Sequence, residues 1–397
     1  QSWSKPYIGY IKVNGYQNKP LLIFGAGYDT NKDNVTKTED NKGQGIYIAD
    51  ADTGSLVWSF TPLGNTLFPG VDGIPGDITT LDSDYDGYID RLYASDTGGN
   101  IWRFDLPGSE PKSSDTPWTV FKLAELGSKN TIDDRRFFYQ STVARTYFSK
   151  VTEVSENNNG VITTTVNREE TPFEAIVIGS GNRSHPTYTT TSNHLYMIRD
   201  ENTITKSFIR NIPSPIKVTD LESVNDDPFG SVLNDKDAFE EVEIEFSKFK
   251  GWHYTLALGE KALSEASVAG GVAYYSTFTP ADDSNTNQCS LSGGGGLLYA
   301  FHLHYGTKVY DTLTMDVGDT IPDTAQIVFD QDKDGNSQLL LIGVGDGENG
   351  TGVIKAKSVV DSLVPVDKDG DGIIDIVEPY PLGLKTIRSY IYGYEEY

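Results

Sequence analysis

One design recurs along this chain and limits what it can fold into. Gly45-Ile46-Tyr47-Ile48-Ala49-Asp50-Ala51-Asp52-Thr53-Gly54-Ser55-Leu56-Val57-Trp58 reads as a strand, an Asp-Thr-Gly turn and a second strand ending in Trp. Arg91-Leu92-Tyr93-Ala94-Ser95-Asp96-Thr97-Gly98-Gly99-Asn100-Ile101-Trp102-Arg103-Phe104-Asp105 repeats it. A hairpin of this kind cannot bury both faces by itself, so several must pack on one another. Weaker echoes follow at Ala175–Gly181 with Leu195–Asp200, at Gly271–Phe278 with Leu297–Leu303, and at Gln338–Gly345. The opening segments Trp3–Ile11 and Pro20–Tyr28, with Asn14-Gly15 between them, read as a hairpin.

These units are of the quinoprotein-like kind, and dividing the chain by them predicts an all-β fold: a β-propeller of about six to eight blades closed in one ring. The ring is expected over residues 1–360, with insertions around 150–170 and 281–296 and a tail at 361–397. Forty glycines and 23 tyrosines, with few apolar runs of helical period, agree with short strands joined by turns. The 57 acidic residues against 32 basic leave a net charge of -25, which makes nucleic acid and anionic membrane surfaces poor partners. No stretch is apolar enough to span a bilayer and no signal peptide opens the chain, which reads as a portion of something longer. A single cysteine, Cys289, excludes an internal disulfide and a multi-cysteine zinc site.

Bound cations would relieve such a charge where it is densest. Asp82-Ser83-Asp84-Tyr85-Asp86-Gly87-Tyr88-Ile89-Asp90 sets carboxylates at positions 1, 3, 5 and 9 of one tight loop. Calcium takes roughly six to eight oxygens in a flexible shell. Asp82, Asp84 and Asp86, the Tyr88 carbonyl and Asp90 supply that pattern, and Gly87 permits the turn. The segment Ile89–Ala94 reads as a strand and Tyr93 stands at position 12, so this is a nine-residue loop feeding a strand and not an EF-hand. The plain alternative is an acidic surface turn. Close carboxylates repel one another without a cation, which favours the metal. Such loops are commonest outside the cytoplasm, where calcium is millimolar, which points to the periplasm or cell surface.

A second loop, Asp367-Lys368-Asp369-Gly370-Asp371-Gly372-Ile373-Ile374-Asp375, repeats the spacing. Its expected ligands are Asp367, Asp369, Asp371, the Ile373 carbonyl, Asp375 and, at position 12, Glu378. A third stretch, Asp330–Gln338, carries a neutral Gln at position 9 and reads as the turn of the repeat with its ion lost. His302 and His304 alternate on a strand and read as an ordinary surface pair. No G-x-S-x-G, H-E-x-x-H or P-loop occurs, and the run Gly293–Gly296 lacks the Lys and helix of a phosphate loop.

In their order along the chain, Trp3-Ser4-x-Pro6, Leu22–Asp29, Ile46–Gly54, Asp82–Asp105, Arg135–Phe138, Gly179–Pro186 and Gly251-Trp252 to Thr279-Pro280 resemble the C-terminal domain of the PilC/PilY type IV pilus proteins, over most of the chain to about Gly352. The resemblance implies a modified seven-bladed β-propeller at or near the pilus tip of a Gram-negative bacterium, reached through the periplasm, with the outer membrane as the other surface site. It implies support of pilus assembly, control of extension against retraction through calcium in the Asp82–Asp90 loop, twitching motility, and adhesion contributing to virulence. The implied partners are type IV pilus subunits, minor pilins among them, and a host-cell receptor. The tail from Asp367 and the absence of an adhesive N-terminal region depart from the family pattern. Against this stand a quinoprotein-type dehydrogenase and a passive outer-membrane propeller scaffold. The dehydrogenase commonly needs a pair of cysteines that this chain lacks, so no enzyme activity and no bound quinone are expected.

Overall fold

The computed structural model describes residues 3–36, 38–158, 161–281, 294–331, 337–347, 350–359, 380, 381, 383 and 384. Their strands form five successive sheets of four or five strands each, plus one small two-stranded ladder. In the first sheet, Tyr7–Gly9, Leu21–Gly25, Ile46–Asp50, Leu56–Thr61 and Thr66–Leu67 lie in chain order. The second runs Thr79–Leu81, Arg91–Ser95, Asn100–Asp105, Thr119–Glu125, then Ile216–Lys217. The third joins Thr142–Asn158, Val161–Gly179, His194–Asp200, Gly251–Thr255 and Glu222–Ser223. The fourth centres on Val272–Pro280 and Gly294–His302, and the fifth on Gln326–Gln331 and Ser337–Ile342. The two Asp-Thr-Gly hairpins are present, and the weaker echoes are paired strands. The first two strands pair antiparallel as the expected hairpin, and Asn14-Gly15 is one of two turns in the connection between them. The described residues do not decide the count of about seven blades.

Alternation along each strand explains why the sheets stack face to face. Leu92, Ala94, Trp102 and Phe104 of the second sheet pack with Ile46, Ile48 and Phe60 of the first. The intervening residues Tyr93 and Ile101 meet Ile176, Ile178, Tyr196 and Ile198 of the third. Ala175, Val177, Leu195 and Met197, on the other face of that third sheet, pack on Ala273, Tyr275 and Tyr299 of the fourth. Val272, Tyr274, Leu298 and Ala300 then meet Leu339 and Leu341 of the fifth. Four apolar cores thus fill the spaces between five consecutive sheets, the packing of a propeller.

A repeated hydrogen bond ties successive sheets together. The first residues of Thr79–Leu81, Thr142–Asn158 and Ser267–Ala269, the last a strand of the fourth sheet, each donate a hydroxyl to the carbonyl just before a strand of the next sheet. Thr79 Oγ1 bonds Ser141 O, Thr142 Oγ1 bonds Ala266 O at 2.6 Å, and Ser267 Oγ bonds Ala325 O at 2.7 Å. The hairpin expected near 150–170 is the outer part of the long paired strands Thr142–Asn158 and Val161–Gly179. A helix the repeat does not announce, Lys236–Phe246, covers its base: Asp235 caps it, and Phe239, Glu243 and Phe246 are buried.

Candidate metal centre

The Asp82–Asp90 loop joins two strands that pair antiparallel, Thr79–Leu81 and Arg91–Ser95. Tyr85 at φ 60° and Gly87 at φ 89° turn the chain tightly, and a Cβ on Gly87 would meet open space, so only backbone strain favours glycine there. The turn aims N–H groups at the carboxylates: Asp82 accepts from Asp86 N at 3.1 Å and Gly87 N at 2.8 Å, Asp84 from Asp86 N at 3.3 Å, and Asp86 from Tyr88 N at 3.0 Å. One carboxylate oxygen from each of Asp82, Asp84 and Asp86 lies within 4.8 Å of the others, with Asp82 partly buried and the other two exposed.

Asp90 does not join them. Its carboxylate accepts from Ser83 N at 3.0 Å and from Ser83 Oγ, closing the neck of the loop. The Tyr88 carbonyl keeps its assignment from spacing alone; the Tyr88 hydroxyl donates to Asn18 Oδ1 at 3.1 Å. An all-oxygen donor set with open approach fits a hard divalent cation. A cation of the protein already samples the position: the half-exposed Lys12 ammonium contacts Asp86 Oδ2 and lies 5.5 Å from the Tyr88 ring centre.

Behind the loop the charges are paired and buried. Arg91, Arg103, Asp105 and Glu174 are fully buried and Asp200 nearly so. Arg91 reaches Glu174 at 3.0 Å. Arg103 grips Asp105 at 2.6 and 2.9 Å and Asp200 at 2.6 Å, and the Tyr93 hydroxyl donates to Asp200 at 2.9 Å. Burial by itself would lower the Arg103 pKa, but Asp200 and Asp105 outweigh it and raise it. Arg145 links the two regions, donating to Ser83 O at 2.7 Å and Glu174 at 3.0 Å while its guanidinium lies 5.5 Å from the Tyr85 ring centre. Metal-ligand spacing says nothing of this network; the signal was charged and polar residues at alternate positions of largely apolar strands, Arg91 with Tyr93 and Arg103 with Asp105.

The other candidates separate. Asp367, Asp369, Asp371, Ile373, Asp375 and Glu378 lie outside the described residues, as does Cys289. The third stretch begins and ends in the paired strands Gln326–Gln331 and Ser337–Ile342, with Gln338 Nε2 donating to Asp330 at 3.3 Å; its centre lies outside the described residues. His302 and His304 correct their sequence reading: at 2% and 3% exposure they are buried, because Phe173 and Tyr305 cover them. Gly294–Gly296 open a strand and do not form a phosphate loop.

The family model of the PilY1 beta-propeller domain matches residues 2–211, more than half of the chain. A type IV pilus biogenesis factor PilY1 homolog of Xylella fastidiosa is 29% identical over 115 residues, 27% of this chain and 7% of that protein. Type IV pilus biogenesis factor PilY1 of Pseudomonas aeruginosa is 26% identical over 117 residues, 29% of this chain and 8% of that protein. The matched stretches thus span less than a tenth of either relative's length. The crystal structure of the Pseudomonas aeruginosa PilY1 C-terminal domain aligns with a TM-score of 0.46 at 15% identity, over 85% of this chain and 70% of that one. By the family match across its first sheet, its acidic loop, four of the five strands of its second sheet and part of its third, this chain belongs to the PilY1 beta-propeller family.

Proposed function

We propose that the chain is the calcium-binding propeller portion of a type IV pilus-associated surface protein that supports pilus assembly, governs extension against retraction in twitching motility, and contributes to host-cell adhesion. The observation that carries the calcium assignment is the convergence of Asp82, Asp84 and Asp86 between paired strands. Calcium draws these carboxylates together, orders the loop and the strand after it, and presents a fixed surface to pilus subunits, minor pilins among them. Without the ion the aspartates repel and prefer water, and the same surface is mobile and acidic. A location at the pilus tip or outer-membrane surface supplies the calcium, and no catalytic step or quinone enters this reading.

Titration calorimetry on the 397-residue chain tests the first step. Asp82→Ala and Asp86→Ala should each lose calcium uptake while keeping the fold. Cells carrying these variants, and Asp90→Ala and Asp90→Lys, in the full-length protein are then scored for surface piliation and twitching. Unchanged calcium uptake in both alanine variants refutes the ligand assignment. Normal piliation and motility in every variant, at equal protein levels, refutes the switch.

A further inference from the structure

A cavity of about 530 Å³ lies where segments that precede strands of successive sheets come together. It draws Asp77 from before the second sheet, Phe138 and Tyr139 from before the third, Glu265 from between Lys261–Ala262 and Ser267–Ala269 of the fourth, and Tyr28 and Arg183 from connections between strands. The repeated hydroxyl-to-carbonyl bonds hold three of these segments at fixed separations. Such a size, on a rigid frame of several elements, is that of a small-ligand site.

Its chemistry is specific. Tyr28 and Phe138 stand with ring centres 5.7 Å apart, and the Arg183 guanidinium lies 5.1 Å from the centre of the Tyr139 ring. Asp77 accepts from Lys5 N at 2.5 Å, and Glu265 Oε2 accepts from Gln140 Nε2 at 3.0 Å. Asp77, Arg183 and Glu265 have no ion-pair partner among the described residues, although the charges of the nearby network are each matched. Two carboxylates, Asp77 and Glu265, and two cations, Lys5 and Arg183, line the cavity, so the charges of the lining itself are matched in number. It offers aromatic faces beside both acceptors and donors, which suits a ligand whose apolar face is ringed by groups that donate and accept at once.

We infer that this cavity binds a neutral saccharide of two or three units, its C–H faces against the tyrosine and phenylalanine rings and its hydroxyls on Asp77, Arg183 and Glu265. Trp3, 70% exposed at the rim while the other four tryptophans are buried, serves as the reporter. Fluorescence of the 397-residue chain is followed while mannotriose, chitotriose, cellotriose and galactobiose are added separately, with tetra-alanine as the peptide control. At least one saccharide should give a saturable change. Arg183→Ala and Glu265→Gln should each weaken it at least tenfold while melting temperature and calcium response stay unchanged. Calorimetry with Phe138→Ala, which leaves the reporter in place, should show the same loss. No saturable change with any of the four saccharides overturns the inference, and so does saturation by tetra-alanine alone, which would assign the cavity to polypeptide. Either failure leaves the calcium reading intact, because no ligand of the acidic loop lines this cavity.

Discussion

The acidic loop and the network behind it treat like charges in opposite ways. In Asp82–Asp86 three carboxylates gather at the surface with one half-exposed lysine as their protein cation. Between the second and third sheets Asp105, Glu174 and Asp200 are buried and each meets a guanidinium. A buried unpaired charge costs far more than an exposed one, so the interior carries its own counter-ions, whereas the surface can leave the counter-ion to solution. Only the surface cluster can therefore respond to the concentration of an ion outside the protein.

Removing a partner from the interior network should have the largest effect. Arg103→Leu leaves Asp200 buried without its cation and Asp105 with only Arg91, 3.9 Å away, and chemical denaturation should show a loss of roughly 3–5 kcal/mol. A loss below about 1 kcal/mol would mean the network is hydrated, and the contrast would fail.

Asp96 sharpens the comparison, since it is a buried carboxylate with no cation bonded to it. Gly98 N, Asn100 N and the Trp102 indole N–H donate to it, yet burial first and then the neighbouring Asp72 push it up to about 6. The folded chain then holds this proton more tightly than the unfolded chain. The stability it contributes is complete below about pH 4 and is lost as pH rises through about 6, an effect of roughly 3 kcal/mol. Asp96→Asn should flatten the stability profile over that window in denaturant titrations at stepped pH. An unchanged slope would place the titration elsewhere.

Calcium should act at the loop and not on the network. An ion bound only by the folded state adds about 2.7 kcal/mol at a hundredfold excess over Kd. Melting should rise in calcium over chelator, and Asp82→Ala should abolish the rise. If Asp375→Ala abolished it alone, the principal site would be the second loop.

The smallest expected effect is at Lys12. With its ammonium removed from Asp86, Lys12→Ala should tighten calcium binding by less than tenfold, read by calorimetry at low ionic strength and fading with added salt. Weaker binding in this variant would show that the lysine supports the loop and does not compete with the ion.

Much of the fold was legible because its signals are local. Asp50 and Asp96 each accept N–H bonds from the turn that follows them, so the hairpins announce themselves through chemistry contained in a few residues. The first three aspartates of the loop were legible for the same reason. Asp90 was expected beside them, but a nine-residue spacing does not tell which way its carboxylate turns once Ser83 offers two donors. The helix Lys236–Phe246 was missed although Asp235 and the spacing of Phe239, Glu243 and Phe246 signal it, because the strand repeat dominated the pattern.

By itself the sequence determined which segments are strands, where they turn and which face of each is apolar, since alternation and turn chemistry act between near neighbours. Only the tertiary structure decided what those faces meet. Arg91 and Glu174 are paired, His302 and His304 are buried, and Asp77, Arg183 and Glu265 line one cavity, all through packing between residues far apart in the chain. Charge matching and burial depend on distances in space, and strand periodicity carries no information about which distant strand will lie opposite.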